Sequence, residues 1–392
     1  MERLIVNPLR KTETQTLIII DALDECQGDE PASTFLSVLS RYVDDIPFVK
    51  FFITGRPESQ IRSGFRLESL RPHTDMFRLH DVDPHSVDSD IKLFLKTQLS
   101  YIIENRSDYE LVEDWPNPQD IDALSEKVAG FFLFASTVVK FIASEDDPPD
   151  EKLALIISHP QNTSKEGEAG IDLLYTQFLE QAFHTVDQGF YSHLRSVSGA
   201  VLLSFHPLSI KTLSDLLGTC GTPSKIYSTL RTLHSLLLIP DSTEDPVRIF
   251  HKSFLDFLTD PGRCTDQRFF IDSPVHHREI VLACLNVMNG RLKKNICELD
   301  DHVVLSEVED LDERRESYIG DTLEYTCCFW TKHLARTATS GPDVEEVYEA
   351  IDGFFKNCFL FWVEVLSLMR DLDMGVYALN DIQQWYTWVS SV

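Results

Sequence analysis

Positive charge is what this 392-residue sequence has least of. Its 35 Lys and Arg stand against 63 Asp and Glu, a formal net charge of −28. Such a chain repels polyphosphates and anionic surfaces, which argues against nucleic acid or an acidic membrane as its main partner. Long apolar runs are also missing. Phe131–Ala143, the best candidate, is interrupted by Lys140 and is too short to span a bilayer. The opening residues Met1-Glu2-Arg3-Leu4-Ile5-Val6 carry no signal-peptide core, so a cytoplasmic protein is expected. On that expectation the Asn-x-Ser/Thr sites at Asn105 and Asn162 are incidental. None of the eight cysteines forms a Cys-x-x-Cys pair, and they read as reduced core thiols. His276, His277 and Cys284 lack a second ligand cluster and read as packing residues rather than a zinc site. The motifs H-E-x-x-H, G-x-S-x-G and G-x-G-x-x-G are absent, which leaves protease, glycosidase and oxidoreductase readings without an anchor. So is G-x-x-x-x-G-K-[ST], and with it the backbone cradle that binds nucleotide phosphates.

What remains is a globular composition, 43% hydrophobic and 25% charged, long enough for two to four compact units. The most informative stretch is 17–58. Leu17-Ile18-Ile19-Ile20 is a continuous aliphatic run, the pattern of a strand buried on both faces of a parallel sheet. It ends in Asp21-Ala22-Leu23-Asp24-Glu25. Residues 33–43 place Phe35, Leu36, Leu39, Tyr42 and Val43 at helical spacing, which predicts a crossover helix. A second apolar strand over 48–53 then ends in Thr54-Gly55-Arg56-Pro57. One β-α-β unit would therefore deliver three acids and an arginine to the carboxyl rim of a sheet, where open α/β folds bind ligands. A carboxylate there can hold Mg²⁺ through water, a second can orient a water for attack on a phosphate, and an arginine can sense the terminal phosphate. The plainer alternative is a sheet with solvated acids at its edge.

Leu17–Glu25 (LIIIDALDE) resembles the Walker B segment of NACHT nucleotide-binding domains, and Ile53–Glu58 (ITGRPE) resembles their sensor-1 strand. The resemblance implies a partial P-loop NTPase sheet. In it Asp21 is the magnesium-side acid, Asp24 and Glu25 are the water-side acids, and Arg56 is the phosphate sensor. ATP or ADP with Mg²⁺ would be the family's cofactors. By the same resemblance, residues 76–83 (MFRLHDVD) are the next strand, and the strand that leads into the P-loop would lie between it and the sensor strand. With that central strand missing, both neighbours expose hydrogen-bonding edges.

Downstream the pattern turns helical, giving an α/β then mostly α fold class. The expected divisions are 1–105, a partial nucleotide-binding domain; 106–190, a helical subdomain; 191–272, a winged helix; and 273–392, a C-terminal helical region. Residues 87–103, 121–128, 131–142 and 173–183 read as helices, with a break at Gly130. In 191–272, helices are expected over 194–205, 210–217 (with Ser209 as N-cap) and 226–237. A hairpin joins 238–240 to 247–250. Arg248–Leu258 (RIFHKSFLDFL) resembles the H-x-S-F-x-D-F-L segment of fungal NACHT proteins related to vegetative-incompatibility factors. The resemblance makes His251 a contact of the ADP β-phosphate; otherwise it is a histidine that caps a strand–helix junction. Helices are also expected over 275–292, 302–316 and 318–335. The aromatics of 344–392 read mostly as core. No period of 20–50 residues is present, so WD-type repeats common in relatives are absent from this sequence.

The expectation for function is an NLR-like signalling NTPase module in partial form. It acts through protein partners or self-association in immune or incompatibility signalling, and is inactive as an NTPase by itself. Two alternatives stand beside it: an active ATPase switch whose P-loop is supplied upstream or in trans, and a winged-helix DNA-binding regulator. The second is weakened by a recognition helix offering only Lys225 and Arg231 as full charges.

Overall fold

The computed structural model describes residues 7–10, 15–26, 29–56, 58–77, 83–105, 115–128, 130–144, 148–158, 168–183, 188–218, 221–300, 304–338, 340 and 343–390. The chain divides into two compact units, Met1–Ser86 and Val87–Val392. The boundaries expected at 106, 191 and 273 all fall inside the second unit, whose apolar core is continuous across them.

In the first unit, after a short helix α1 (Asn7–Arg10), strands β1 (Thr16–Ile20) and β2 (Val49–Ile53) pair in parallel, with Thr16 opposite Val49 and Ile20 opposite Ile53. Helix α2 (Asp29–Tyr42) makes the crossover, and α3 (Ser59–Phe65) packs against it. Ala32, Leu36, Leu39, Ile61 and Leu70 are buried between the helices and the inward face of the sheet. Gly64 brings α3 so close to α2 that a Cβ there would lie 2.9 Å from the Cβ of Leu36. The strands are not buried on both faces, which corrects the sequence reading. Leu17, Ile19 and Phe52 are 61%, 65% and 58% exposed. Side chains alternate across a strand, and helices α2 and α3 cover one face of it. The strand expected over 76–83 is not found at Met76 and Phe77, which are exposed and irregular, and residues 78–82 lie outside the described residues.

Helix α4 (Pro84–Asn105) carries the chain into the second unit. There α5 (Pro118–Val128), α6 (Phe132–Ala143), α7 (Pro149–Ser158) and α8 (Glu168–Ala182) follow, with Gly130 at φ +83° turning the chain between α5 and α6. A conformation of that kind suits glycine because it has no Cβ. Next come α9 (Gln188–Leu203), α10 (Ile210–Leu217) and α11 (Pro223–Arg231). The antiparallel pair β3 (Leu237–Leu238) and β4 (Arg248–Ile249) then leads into α12 (Lys252–Thr259). Ser209 caps α10 as expected, its hydroxyl accepting from Thr212 N–H at 3.1 Å. The helix expected over 226–237 stops at Arg231 and continues as turns to Leu236.

The rest is helical: α13 (Ser273–Arg291), α14 (Leu311–Tyr318), α15 (Gly320–Leu334), α16 (Val344–Asn357), α17 (Phe359–Leu368) and α18 (Leu372–Ser390). The helix expected over 318–335 is α15, which starts at Gly320 (φ +60°), whereas the one expected over 302–316 is α-helical only from Leu311, with a single tight turn over Leu305–Glu307 before it. Helix α13 is the axis of this half, packing against α9, α10, α15 and α16. The C-terminal aromatics are mixed: Phe354, Trp362 and Trp385 are fully buried, while Trp388 is exposed. The described cysteines are free thiols, and Cys264, Cys284, Cys297, Cys327 and Cys358 are buried.

At the α13–α15 contact, two buried histidines touch. His277 Nδ1 lies 2.8 Å from His333 Nδ1, and Tyr325 Oη lies 2.8 Å from His333 Nε2. Burial, with Arg336 and His276 nearby, pushes His277 down to about 4; burial, then His277 and Arg336, pushes His333 down to about 2. Both rings are therefore neutral in the folded chain at pH 7. The unfolded chain binds more protons once pH falls below about 6.5, so stability declines as pH drops through the window from there to about 4. Urea unfolding at pH 7.5, 6 and 5 is expected to show a wild-type loss that His333→Gln reduces by up to about 1.4 kcal/mol per pH unit. Equal slopes for the two proteins would contradict it.

Candidate functional site

The carboxyl ends of β1 and β2 are tied together by side chains that follow directly from the two sequence segments. Beyond Ile20 the chain turns sharply at Ala22, which adopts left-handed φ +51°, ψ +53°. For a residue with a Cβ this costs about 1–2 kcal/mol, and it is offset by what the turn makes possible. Leu23 drops into the core, and Leu23 N–H donates to Thr54 O at 2.9 Å. Ala22 N–H donates to Thr54 Oγ1 at 2.9 Å, while that hydroxyl donates to Asp21 Oδ1. Thr54 N–H in turn donates to Ile20 O at 2.9 Å. Thr54 is thus a clamp that uses its N–H, carbonyl and hydroxyl on the β1 side.

Asp24 supplies the second tie. Its side chain is only 4% exposed. Its Oδ1 accepts Arg56 N–H at 2.9 Å, and its Oδ2 lies 3.7 Å from Arg56 Nε. The Arg56 side chain is 39% exposed, so the guanidinium reaches solvent while its backbone is anchored. Gly55 permits the approach: a Cβ there would stand 3.1 Å from Asp24 Oδ1 and 3.4 Å from two backbone nitrogens.

The structure therefore gathers Asp21, Asp24, Glu25 and Arg56 at one rim, but in different conditions. Asp21 and Glu25 are exposed; Asp24 is buried and committed to Arg56. Mg²⁺ takes near-octahedral oxygen ligation and keeps several waters, needing one or two protein carboxylates when phosphates supply the rest. The exposed carboxylate of Asp21, which accepts the Thr54 hydroxyl, fits that outer role, and Glu25, four residues on, is exposed as well. Asp24 does not fit the task of orienting a water. No group of three or more His, Cys, Asp or Glu side chains able to hold a metal alone occurs among the described residues.

His251 belongs to the second unit. It is the N-cap of α12, and its Nδ1 accepts Ser253 N–H at 3.1 Å. The capping role is thus present in the geometry. Sequence reasoning assigned no role to Thr54 or Gly55. Their signal was the Thr-Gly pair where β2 ends, a donor–acceptor side chain followed by the one residue that leaves room for another backbone.

One comparison bears on this geometry. The chain is 24% identical, over 394 aligned residues and 94% of its length, to vegetative incompatibility protein HET-E-1 of Podospora anserina. It spans about a quarter of that protein, 26% of its length. Similarity along this much of the chain supports a likeness to a fungal incompatibility protein. No protein-family profile matches the chain, and no solved structure matches it. Among the described residues, no helix is long and apolar enough to cross a membrane.

Replacing Thr54 by Val keeps shape but removes the hydroxyl, leaving Ala22 N–H without its acceptor. Denaturant unfolding of the first unit is expected to show a loss of about 1–3 kcal/mol. Asp21→Asn, at an exposed carboxylate, is expected to cost less than about 0.5 kcal/mol. A Thr54→Val protein as stable as wild type would contradict the clamp.

Proposed function

We propose that this chain is a cytoplasmic NLR-like signalling module of the NACHT NTPase type, acting through protein partners or self-association in incompatibility-type signalling. The observation that carries the proposal is the similarity to a vegetative incompatibility protein along 94% of the chain. The β1–β2 rim supports it at the level of residues, because a parallel pair joined by a helix delivers acids and an arginine to one carboxyl edge.

Within that reading Asp21 is the magnesium-side acid, Glu25 the water-side acid, and Arg56 the phosphate sensor. The role of Asp24 changes: it holds Arg56 in place instead of activating water. Nucleotide with Mg²⁺ would supply a charged terminal phosphate for Arg56 to recognise. In the same reading the α9–α11 helices with the β3–β4 hairpin would serve as the winged helix, and His251 after it is the candidate β-phosphate contact.

These 392 residues contain no G-x-x-x-x-G-K-[ST] loop. Charge-assisted hydrogen bonds contribute about 1.5–3 kcal/mol each. Going without three to five of them removes roughly 5–15 kcal/mol, and a micromolar complex has only about 8.2 kcal/mol in total. The chain alone is therefore a weak nucleotide binder whose working surface is toward other proteins. Calorimetric titration of this chain with ADP and with ATP, each with Mg²⁺, is expected to give no saturation at micromolar nucleotide. A micromolar Kd would contradict the reading and favour a complete switch.

A further inference from the structure

Below His251 runs a short chain of hydroxyls that neither the rim nor the cap requires. Tyr175, on α8, is buried, and its Oη lies 2.7 Å from Ser253 Oγ. Ser253 is buried as well, and its Oγ lies 2.9 Å from His251 Nδ1. The backbone fixes the direction of these bonds. Ser253 N–H, 3.1 Å from His251 Nδ1, can only donate, so Nδ1 carries a lone pair and no proton. The Ser253 hydroxyl must then donate to Nδ1 too, in a three-centre arrangement, and accept from Tyr175. Tyr175 suits the donor end: burial, more than the opposing Ser253 hydrogen bond, pushes its phenol up to about 12. The charges that reach it, Arg263, Asp172 and Asp256, include a pair, Arg263 and Asp172, joined at 2.7 Å. The tyrosine ring is held in turn against Phe254 and Phe257 of α12.

We infer that Tyr175 and Ser253 are positioning residues that fix His251 in the tautomer with its proton on Nε2, so that this histidine presents a hydrogen-bond donor to an acceptor such as a phosphate oxygen. The tautomer follows from the hydrogen bonds above; the phosphate as acceptor rests on the reading under Proposed function. The spacing His-x-Ser then has a physical meaning. The serine two positions on supplies both the N–H that the imidazole caps and the hydroxyl that locks it.

The test uses the full, nucleotide-free chain with histidines labelled in ¹⁵N, and a long-range ¹H–¹⁵N correlation spectrum in which His251 is assigned by its loss in His251→Gln. The expected spectrum shows a pyridine-type Nδ1 and a pyrrole-type Nε2. Ser253→Ala shifts Nδ1 toward the value of a nitrogen that accepts fewer hydrogen bonds, and Ser253→Thr restores it. Tyr175→Phe shifts it the same way by less, and serves alone where the alanine variant does not fold. A protonated Nδ1 in the wild type, or an Nδ1 that none of the folded variants moves, would overturn the inference. Micromolar ADP binding with the expected tautomer would count against the reading of function alone. The wrong tautomer in a chain that binds nucleotide weakly would count against the positioning role alone.

Discussion

A parallel strand pair has no turn to hold it together, so the join between β1 and β2 depends on what happens at their ends. Here the join is made at the carboxyl end by Thr54 and Asp24, reaching across from opposite strands. Each uses a polar group to satisfy backbone N–H groups that would otherwise be left without partners where the ladder stops. The same contacts decide the chemistry of the rim. They bury one acid, leave Asp21 and Glu25 in solvent, and hold the Arg56 backbone while its guanidinium stays accessible. Geometry and electrostatics at this edge are therefore consequences of one fastening.

The second unit solves a different problem, the burial of polar groups inside a helical core. Its buried hydroxyls and imidazoles are arranged in short relays: Tyr325 with His333 and His277 on the α13–α15 face, and Tyr175 with Ser253 and His251 at the start of α12. Unpaired, each such group would cost about 1–3 kcal/mol. Linked, each also fixes the orientation of a neighbouring ring. That is how an apolar helix bundle comes to hold a half-buried histidine in one defined state at the end of a hairpin.

Much of this was legible in the sequence, and for identifiable reasons. The aliphatic runs of 17–20 and 48–53, with the helical spacing of Phe35, Leu36 and Leu39 between them, gave the parallel pair and its crossover. Side chains as distinctive as Asp21, Asp24 and Arg56 at the strand ends gave the rim. Local patterns could not tell one covered face from two, because Leu17 and Ile19 are equally apolar whichever way they point. They also could not rank the acids. Asp24 and Glu25 are adjacent and chemically alike, and only the left-handed turn at Ala22 sends one inward and leaves the other exposed. Helix ends were also hard to place: the apolar spacing of 226–237 runs on past Arg231, where the helix gives way to turns.

The account turns on the buried carboxylate that receives the Arg56 amide, and native-state hydrogen exchange at that amide tests it most directly. If Asp24 fastens β2 to the end of β1, Arg56 N–H exchanges as slowly as the strand amides of Ile18–Ile20, although it lies outside the ladder. Exchange at the rate of an open loop, with the strand amides still protected, would contradict it.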